Sequence, residues 1–245
     1  LDAVEICQFH IPEQGAAYIA TLKQSLGDAG VQLLSMPIDV GNISDANAAH
    51  RAEDLAAIES WMQIAADLGA RMVRVNASAP TAAEPPAPLE VTIESYRRLA
   101  RTAKALGLEL LIENHGGITT DPEVIVAIVE AVGLADLKVL VDIGNFEPLI
   151  SVQMAEMQGR PVPEVDVTPI YGSIARIAPY AGLVHAKTHG FDAAGRPLRL
   201  DVVRALRVVR DVGYDGPISL EYEGNDGDPW ENTRRTLALV EEAFA

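Results

Sequence analysis

Residues 108–143 read LELLIENHGGITTDPEVIVAIVEAVGLADLKVLVDI, and the fold turns on this stretch. It opens on an apolar run ending in an acid, Glu113, and closes on a second apolar run ending in another acid, Asp142. Between them Val124, Ile125, Ile128, Val129 and Val132 recur at three- and four-residue spacing behind Pro122, which predicts a helix with one apolar face. Gly133 follows where a left-handed residue ends a helix most cheaply. Two short strands joined by a helix run parallel, because an antiparallel pair needs only a tight turn.

The same unit repeats outward in both directions. Strands are predicted over 4–9, 31–36, 71–76, 108–113, 138–143, 183–187 and 217–221. Helices are predicted over 13–29, 46–68, 89–105, 122–132, 170–178, 202–212 and 230–244. Gly30, Gly69, Gly107, Gly182 and Gly213 join Gly133 as expected helix-ending glycines. Seven strands each leading into a helix predict an α/β fold, a (β/α)8 TIM barrel spanning 1–245 as one domain. A closed barrel needs an eighth strand, so the first strand is expected upstream of residue 1. The rival is an open doubly wound sheet. No G-x-G-x-x-G follows any strand, and polar residues stand at the carboxyl ends of nearly all seven, which favours the barrel.

Two stretches, 77–88 and 146–169, interrupt the rhythm after strand ends. Each suits a semi-rigid lid over a pocket, and each suits a subunit contact in a homo-oligomer.

At 245 residues the chain is close to the length of one barrel, about 250. Its net charge of −16 opposes a phosphate backbone, so nucleic acid is not an expected partner. No apolar run approaches the ~18 residues of a membrane span, so no membrane partner is expected. Cys7 is the only cysteine, which excludes an internal disulfide framework and fits a cytoplasmic setting. On a strand it reads as a core residue.

Four strand ends carry a metal-ligating side chain: Glu113 in Ile-Glu-Asn-His, Asp142 in Val-Asp-Ile-Gly, His185 in Val-His-Ala-Lys and Glu221 in Leu-Glu-Tyr-Glu. Any one of them serves equally well as a helix cap, an ion-pair partner or a satisfied core residue. Together they are harder to account for, since burying three carboxylates close to one another without a cation costs several kcal/mol. Three carboxylates and an imidazole suit one divalent ion, Mn, Mg, Co or Zn, with positions left for substrate oxygens. Lys187, two residues past His185, falls on the same strand face and is placed to donate to a substrate oxygen. His115, beside Asn114 in the loop after Glu113, is a further candidate acid or base. Glu5, Gln8, His10, Arg74 and Asn76 lie at or past earlier strand ends as weaker candidates for binding hydroxyls. His189 reads as loop surface and His50 as the start of a remote helix.

These pieces, together with Asp2-Ala-Val-Glu-Ile6, Ile112-Glu-Asn-His-Gly-Gly117, Val141-Asp-Ile-Gly-Asn145, Val184-His-Ala-Lys-Thr188 and Ile218-Ser-Leu-Glu-Tyr-Glu-Gly224, resemble the sugar phosphate isomerase/epimerase family of xylose isomerase-like TIM barrels over essentially the whole chain. The resemblance implies a metal site of Glu113, Asp142, His185 and Glu221, with Glu113 and Glu221 also acting as acid and base on opposite faces of a small carbohydrate. The chemistry it implies is abstraction of a proton beside a carbonyl to give an enediolate, which leads to isomerisation or epimerisation. Loss of a leaving group instead makes a lyase, such as a keto-inositol dehydratase or a 3-keto-glycoside cleaving enzyme. A non-catalytic sugar-binding subunit is the third reading. Some family members carry Asp-x-x-His after the sixth strand and bind a further metal through that histidine, whereas this chain has Asn145. That change and the −16 charge speak against the multi-metal endonuclease branch.

Overall fold

β-branched and leucine-rich runs flanked by glycine form the strands, and the computed structural model describes residues 2–78, 87–225 and 227–245. In chain order the elements are β1 (Ala3–Glu5), α1 (Ala16–Asp28), β2 (Gln32–Ile38), α2 (Ala48–Leu68), β3 (Met72–Val75), α3 (Leu89–Leu106), β4 (Glu109–Glu113), α4 (Pro122–Val132), β5 (Lys138–Asp142), α5 (Leu149–Met157), α6 (Thr168–Ile177), β6 (Ala181–Thr188), α7 (Val202–Asp211), β7 (Ile218–Tyr222) and α8 (Pro229–Phe244). Strand and helix alternate as the sequence predicts, except where α5 and α6 follow one another.

The chain packs as two compact units, one of residues up to Glu113 with Ala127–Lys138, the other of Asn114–Val126 with Val139–Ala245. In the first, β1 pairs with β2, β2 with β3 and β3 with β4, all parallel. Its interior is built from Met36, Ile38, Ile58, Met62, Val73 and Leu111, each almost wholly removed from water. Tyr96 joins them and donates its hydroxyl to the Val75 carbonyl at 2.8 Å, so its polar end is satisfied. In the second unit β5 pairs with β6 and β6 with β7, again parallel. Val139–Val141, Leu183, Val184 and Ala186 are fully buried, and Ile170, Ile174 and Ile177 of α6 present one apolar face at helical spacing. No helix among the described residues is long and apolar enough to cross a membrane.

Capping follows the expected chemistry. Gly30, Gly69, Gly107, Gly133 and Gly213 have positive φ, as helix-ending glycines should. Gly182 differs: it lies inside β6, because a 3-10 turn at Ala178–Tyr180 ends the preceding helical segment and the strand begins at Ala181. The first predicted strand is also shorter than 4–9. It stops at Glu5, and a 3-10 turn at Gln8–His10 takes over. Of the two irregular stretches, 146–169 contains α5, while 79–86 of the other lies outside the described residues.

The longest helix, α2, is started by Asn47, whose side chain accepts from the amides of Ala49 and His50. Asn47→Ala should lower stability by about 1 kcal/mol. The expected readout is a lower urea midpoint with an unchanged slope.

Candidate functional site

Strand register in the second unit decides which side chains meet. Asp142 at the end of β5 lies opposite His185 on β6, and Lys187 lies opposite Glu221 on β7. Side chains two apart share a strand face, so His185 and Lys187 project together with Asp142 on one side and Glu221 on the other. The imidazole Nδ1 of His185 is 3.1 Å from Glu221 Oε2 and 3.8 Å from Asp142 Oδ2. The Lys187 ammonium is 2.9 Å from Asp142 Oδ2, 3.2 Å from Glu221 Oε2 and 3.3 Å from Glu223 Oε2. It also donates to Asn145 Oδ1 at 3.1 Å.

Asp142 has no exposure to solvent. Burial alone would raise its pKa, but the Lys187 ammonium and His185 outweigh that and hold the carboxyl below the usual carboxylate range. Its backbone is clamped by Asn114, whose Oδ1 accepts from the Asp142 amide at 2.9 Å and whose Nδ2 donates to the Asp142 carbonyl at 2.8 Å. One carboxylate oxygen, Oδ1, accepts from the Gly144 amide at 2.7 Å, which turns Oδ2 towards Lys187 and His185. Gly144 has a steric reason too: a Cβ there would stand 2.9 Å from Lys187 Cδ. Glu221 is likewise lowered, burial being overcome first by His185 and then by Lys187. Glu223 goes the other way, because burial there outweighs Lys187.

Beyond this group lies a second polar layer. Gln153 on α5 places its amide nitrogen 3.0 Å from His189 Nε2 and 3.5 Å from Glu223 Oε2. Arg199 has positive φ, an uncommon conformation for a side-chain-bearing residue, and its guanidinium pairs with Glu156 of α5. His189, read from the sequence as loop surface, is half-buried, and burial followed by the nearby Arg199 charge lowers its pKa to about 4. His115 is half-buried, and its amide donates to Thr119 Oγ1 at 3.2 Å.

In the first unit Glu113, at the end of β4, is 1% exposed. Arg74 on β3 brings Nε to 2.8 Å from Glu113 Oε2, and its Nη1 pairs with Asp39 Oδ1. Asn76 Nδ2 donates to the same Asp39 oxygen at 3.0 Å. The Cys7 thiol, pushed up to about 12 mainly by burial, donates to Asp39 Oδ2 at 3.2 Å. Gln8 Oε1 accepts from the Asp39 amide at 3.1 Å. Arg74, Asn76 and Gln8 are thus buried and engaged with Asp39, while Glu5 is half-buried and His10 exposed beside Phe9. His50 is exposed at the start of α2.

Glu113, Asp142 and His185 are each buried and each offer an atom that could ligate a metal ion. The model of the xylose isomerase-like TIM barrel family matches residues 1–243. The chain belongs to that family. The predicted barrel class is therefore the family's fold. Among solved structures, a D-psicose 3-epimerase crystallised in the presence of D-fructose is similar at 21% identity and a TM-score of 0.74, covering 99% of this chain and 89% of that one. A xylose isomerase-like TIM barrel protein from Mycobacterium smegmatis in complex with magnesium is similar at 22% identity and a TM-score of 0.72, covering 100% and 85%. The IOLI protein with a bound zinc atom follows at 14% identity and a TM-score of 0.70, covering 99% and 88%. These likenesses establish the fold. No curated protein sequence matches the chain.

Asp39, Gln153 and Glu223 are not singled out by the sequence, and His189 is read there as loop surface. Glu223 had a signal, being two residues from Glu221 and so on the same strand face. Asp39 had one as well, but β2 runs to Ile38 rather than ending at position 36.

The depressed pKa of His189 makes stability depend on pH. The unfolded chain binds a proton at this position below about 6.5, the folded chain only below about 4. Between those values the unfolded state holds more protons, so stability is full above the upper value and falls as pH drops through the window, by at most about 3 kcal/mol. Urea unfolding across pH 7 to 4 should show a shallower acid loss in His189→Gln than in the parent.

Proposed function

We propose that the protein is a divalent-metal-dependent isomerase or epimerase of a small sugar or related hydroxy-ketone, working through an enediolate on a single barrel domain. The observation that carries this reading is the meeting of Asp142, His185 and Glu221 on three successive strands, with the pKa of both carboxyls lowered. Two ionised carboxylates and an imidazole with buried donor atoms match the ligand chemistry of Mn, Mg, Co or Zn. Glu113 is assigned as the fourth ligand, since it is buried and ends β4 as Asp142 ends β5. The magnesium and zinc complexes of similar structures support a divalent ion, and the D-psicose 3-epimerase supports a carbohydrate substrate.

When bound, the ion would polarise a substrate carbonyl and the neighbouring hydroxyl and so acidify the adjacent C–H. Glu113 removes the proton from one face of the sugar and becomes a carboxylic acid, while Glu221 takes up a different proton from solvent and delivers it to the other face; loss of the first proton to solvent restores the pair. Lys187, charged among Asp142, Glu221 and Glu223, donates to the substrate oxygen on which negative charge grows. Asn145 and Gly144 keep its stem and head in place. Gln153 and His189 offer hydrogen bonds to hydroxyls further along the sugar, and His115 supplies an additional acid or base at the rim. The acidic chain and the several carboxylates of the site favour a substrate without phosphate.

Elemental mass spectrometry on protein purified without added metal should find close to one Mn, Co, Zn or Mg per chain. Asp142→Asn, His185→Ala and Glu221→Gln should each lose it. Absence of metal from the parent, even after equilibration with these ions, would sink the proposal.

Turnover should be visible in D2O as deuterium entering a ketopentose or ketohexose beside its carbonyl, followed by NMR. Glu113→Gln should slow that exchange by about 10²–10⁴-fold. Lys187→Met should slow it by a comparable factor while retaining the metal, because it removes a cation rather than a ligand.

A further inference from the structure

We infer that Arg74 is a positioning residue for Glu113, aimed in its turn by Asp39. The inference rests on the reading of Glu113 as a ligand and base. Strand register sets up the arrangement: Arg74 on β3 lies opposite Pro37 of β2 and opposite Leu111 of β4. Two residues beyond those partners stand Glu113, at the end of β4, and Asp39, one residue past the end of β2. One guanidinium therefore reaches a carboxylate on either side, Nη1 to Asp39 Oδ1 and Nε to Glu113 Oε2 at 2.8 Å.

Such an arrangement is expensive to bury. Arg74 is 5% exposed, and a well-packed apolar side chain would give comparable stability without the desolvation cost. What an apolar residue cannot do is fix a carboxylate plane. The guanidinium is flat and rigid, so anchoring its Nη1 edge on Asp39 fixes where its Nε edge stands, and that edge meets Glu113 Oε2 as an ion pair at 2.8 Å rather than as an aligned hydrogen bond. The anchored edge is the Asp39 side. Asp39 is itself held by Asn76 Nδ2 at 3.0 Å, by the Cys7 thiol at 3.2 Å and, through its amide, by Gln8 Oε1 at 3.1 Å. The line of support thus runs from the 3-10 turn at Gln8–His10 through Asp39 and Arg74 to Oε2 of Glu113. A positive charge fixed beside Oε2 favours one orientation of the Glu113 carboxylate, and with it the place of Oε1, the oxygen that a ligand and base has to present. A lysine would supply charge at this position without that control.

The test is Mn2+ affinity of the full chain by isothermal titration calorimetry, for the parent, Arg74→Lys, Asp39→Asn, Glu113→Gln and the double variant Arg74→Lys with Glu113→Gln. Arg74→Lys and Asp39→Asn should each weaken Mn2+ binding by about 10–100-fold, the usual scale for a residue that orients a ligand. Asp39→Asn is nearly isosteric and keeps the test open should Arg74→Lys fail to fold. The double variant should bind as Glu113→Gln does, because a residue acting only through Glu113 has nothing left to position. Parental affinity in Arg74→Lys and Asp39→Asn, alongside a loss in Glu113→Gln, would overturn the positioning role and leave the metal reading standing. A full further loss in the double variant would also overturn it, by showing that Arg74 acts by another route. Parental affinity in Glu113→Gln would remove Glu113 from the metal site and this inference with it.

Discussion

A carboxylate with no access to water must be given a counter-charge, and Asp142 is that carboxylate. The surroundings of Asp142 follow from this requirement. Asn114 fixes its backbone, the Gly144 amide takes one oxygen, and Lys187 and His185 face the other. Lys187 in turn draws in Glu221, Glu223 and Asn145, so the neighbours of one buried acid define the site's inner layer. Under the proposed function, the same charge balance would hold a proton donor in place among groups suited to a divalent ion.

The first unit solves a parallel problem with a different cation. There a guanidinium rather than an ammonium stands between two acids, and its pKa is raised because Glu113 and Asp39 overcome the effect of burial. Arginine suits a position where direction matters, lysine one where a mobile proton donor is useful. Both arrangements sit at the carboxyl ends of parallel strands, where the two-residue pleat repeat brings side chains from adjacent strands together.

The strand ends were legible in the sequence because apolar runs terminated by Glu113, Asp142, His185 and Glu221 are rare enough to stand out together. Lys187 was legible too, from its spacing to His185. Asp39 was obscured by a single misjudged boundary, since a proline at position 37 makes the end of β2 look like a turn. Gln153 and His189 were illegible for a different reason: they come from a helix and a loop 36 residues apart, and no local pattern announces that these will meet. Gly182 shows the limit of punctuation, since glycine marks a helix end only when the chain has not already turned by other means.

Gly224 leaves no room for a side chain. A methyl group there would press within 2.3 Å of the Tyr222 hydroxyl and 2.5 Å of the His189 carbonyl, so the segments following β6 and β7 run almost against each other. Two loops in such tight register have little room to drift independently in evolution, and an insertion in either would disturb both His189 and Glu223. α5 meets these segments through side chains alone, Gln153 on His189 and Glu223 and Glu156 on Arg199. Side-chain contacts of that kind tolerate substitution more readily than two backbones in direct contact, so α5 is the place where this site can change shape with least disturbance to β6 and β7.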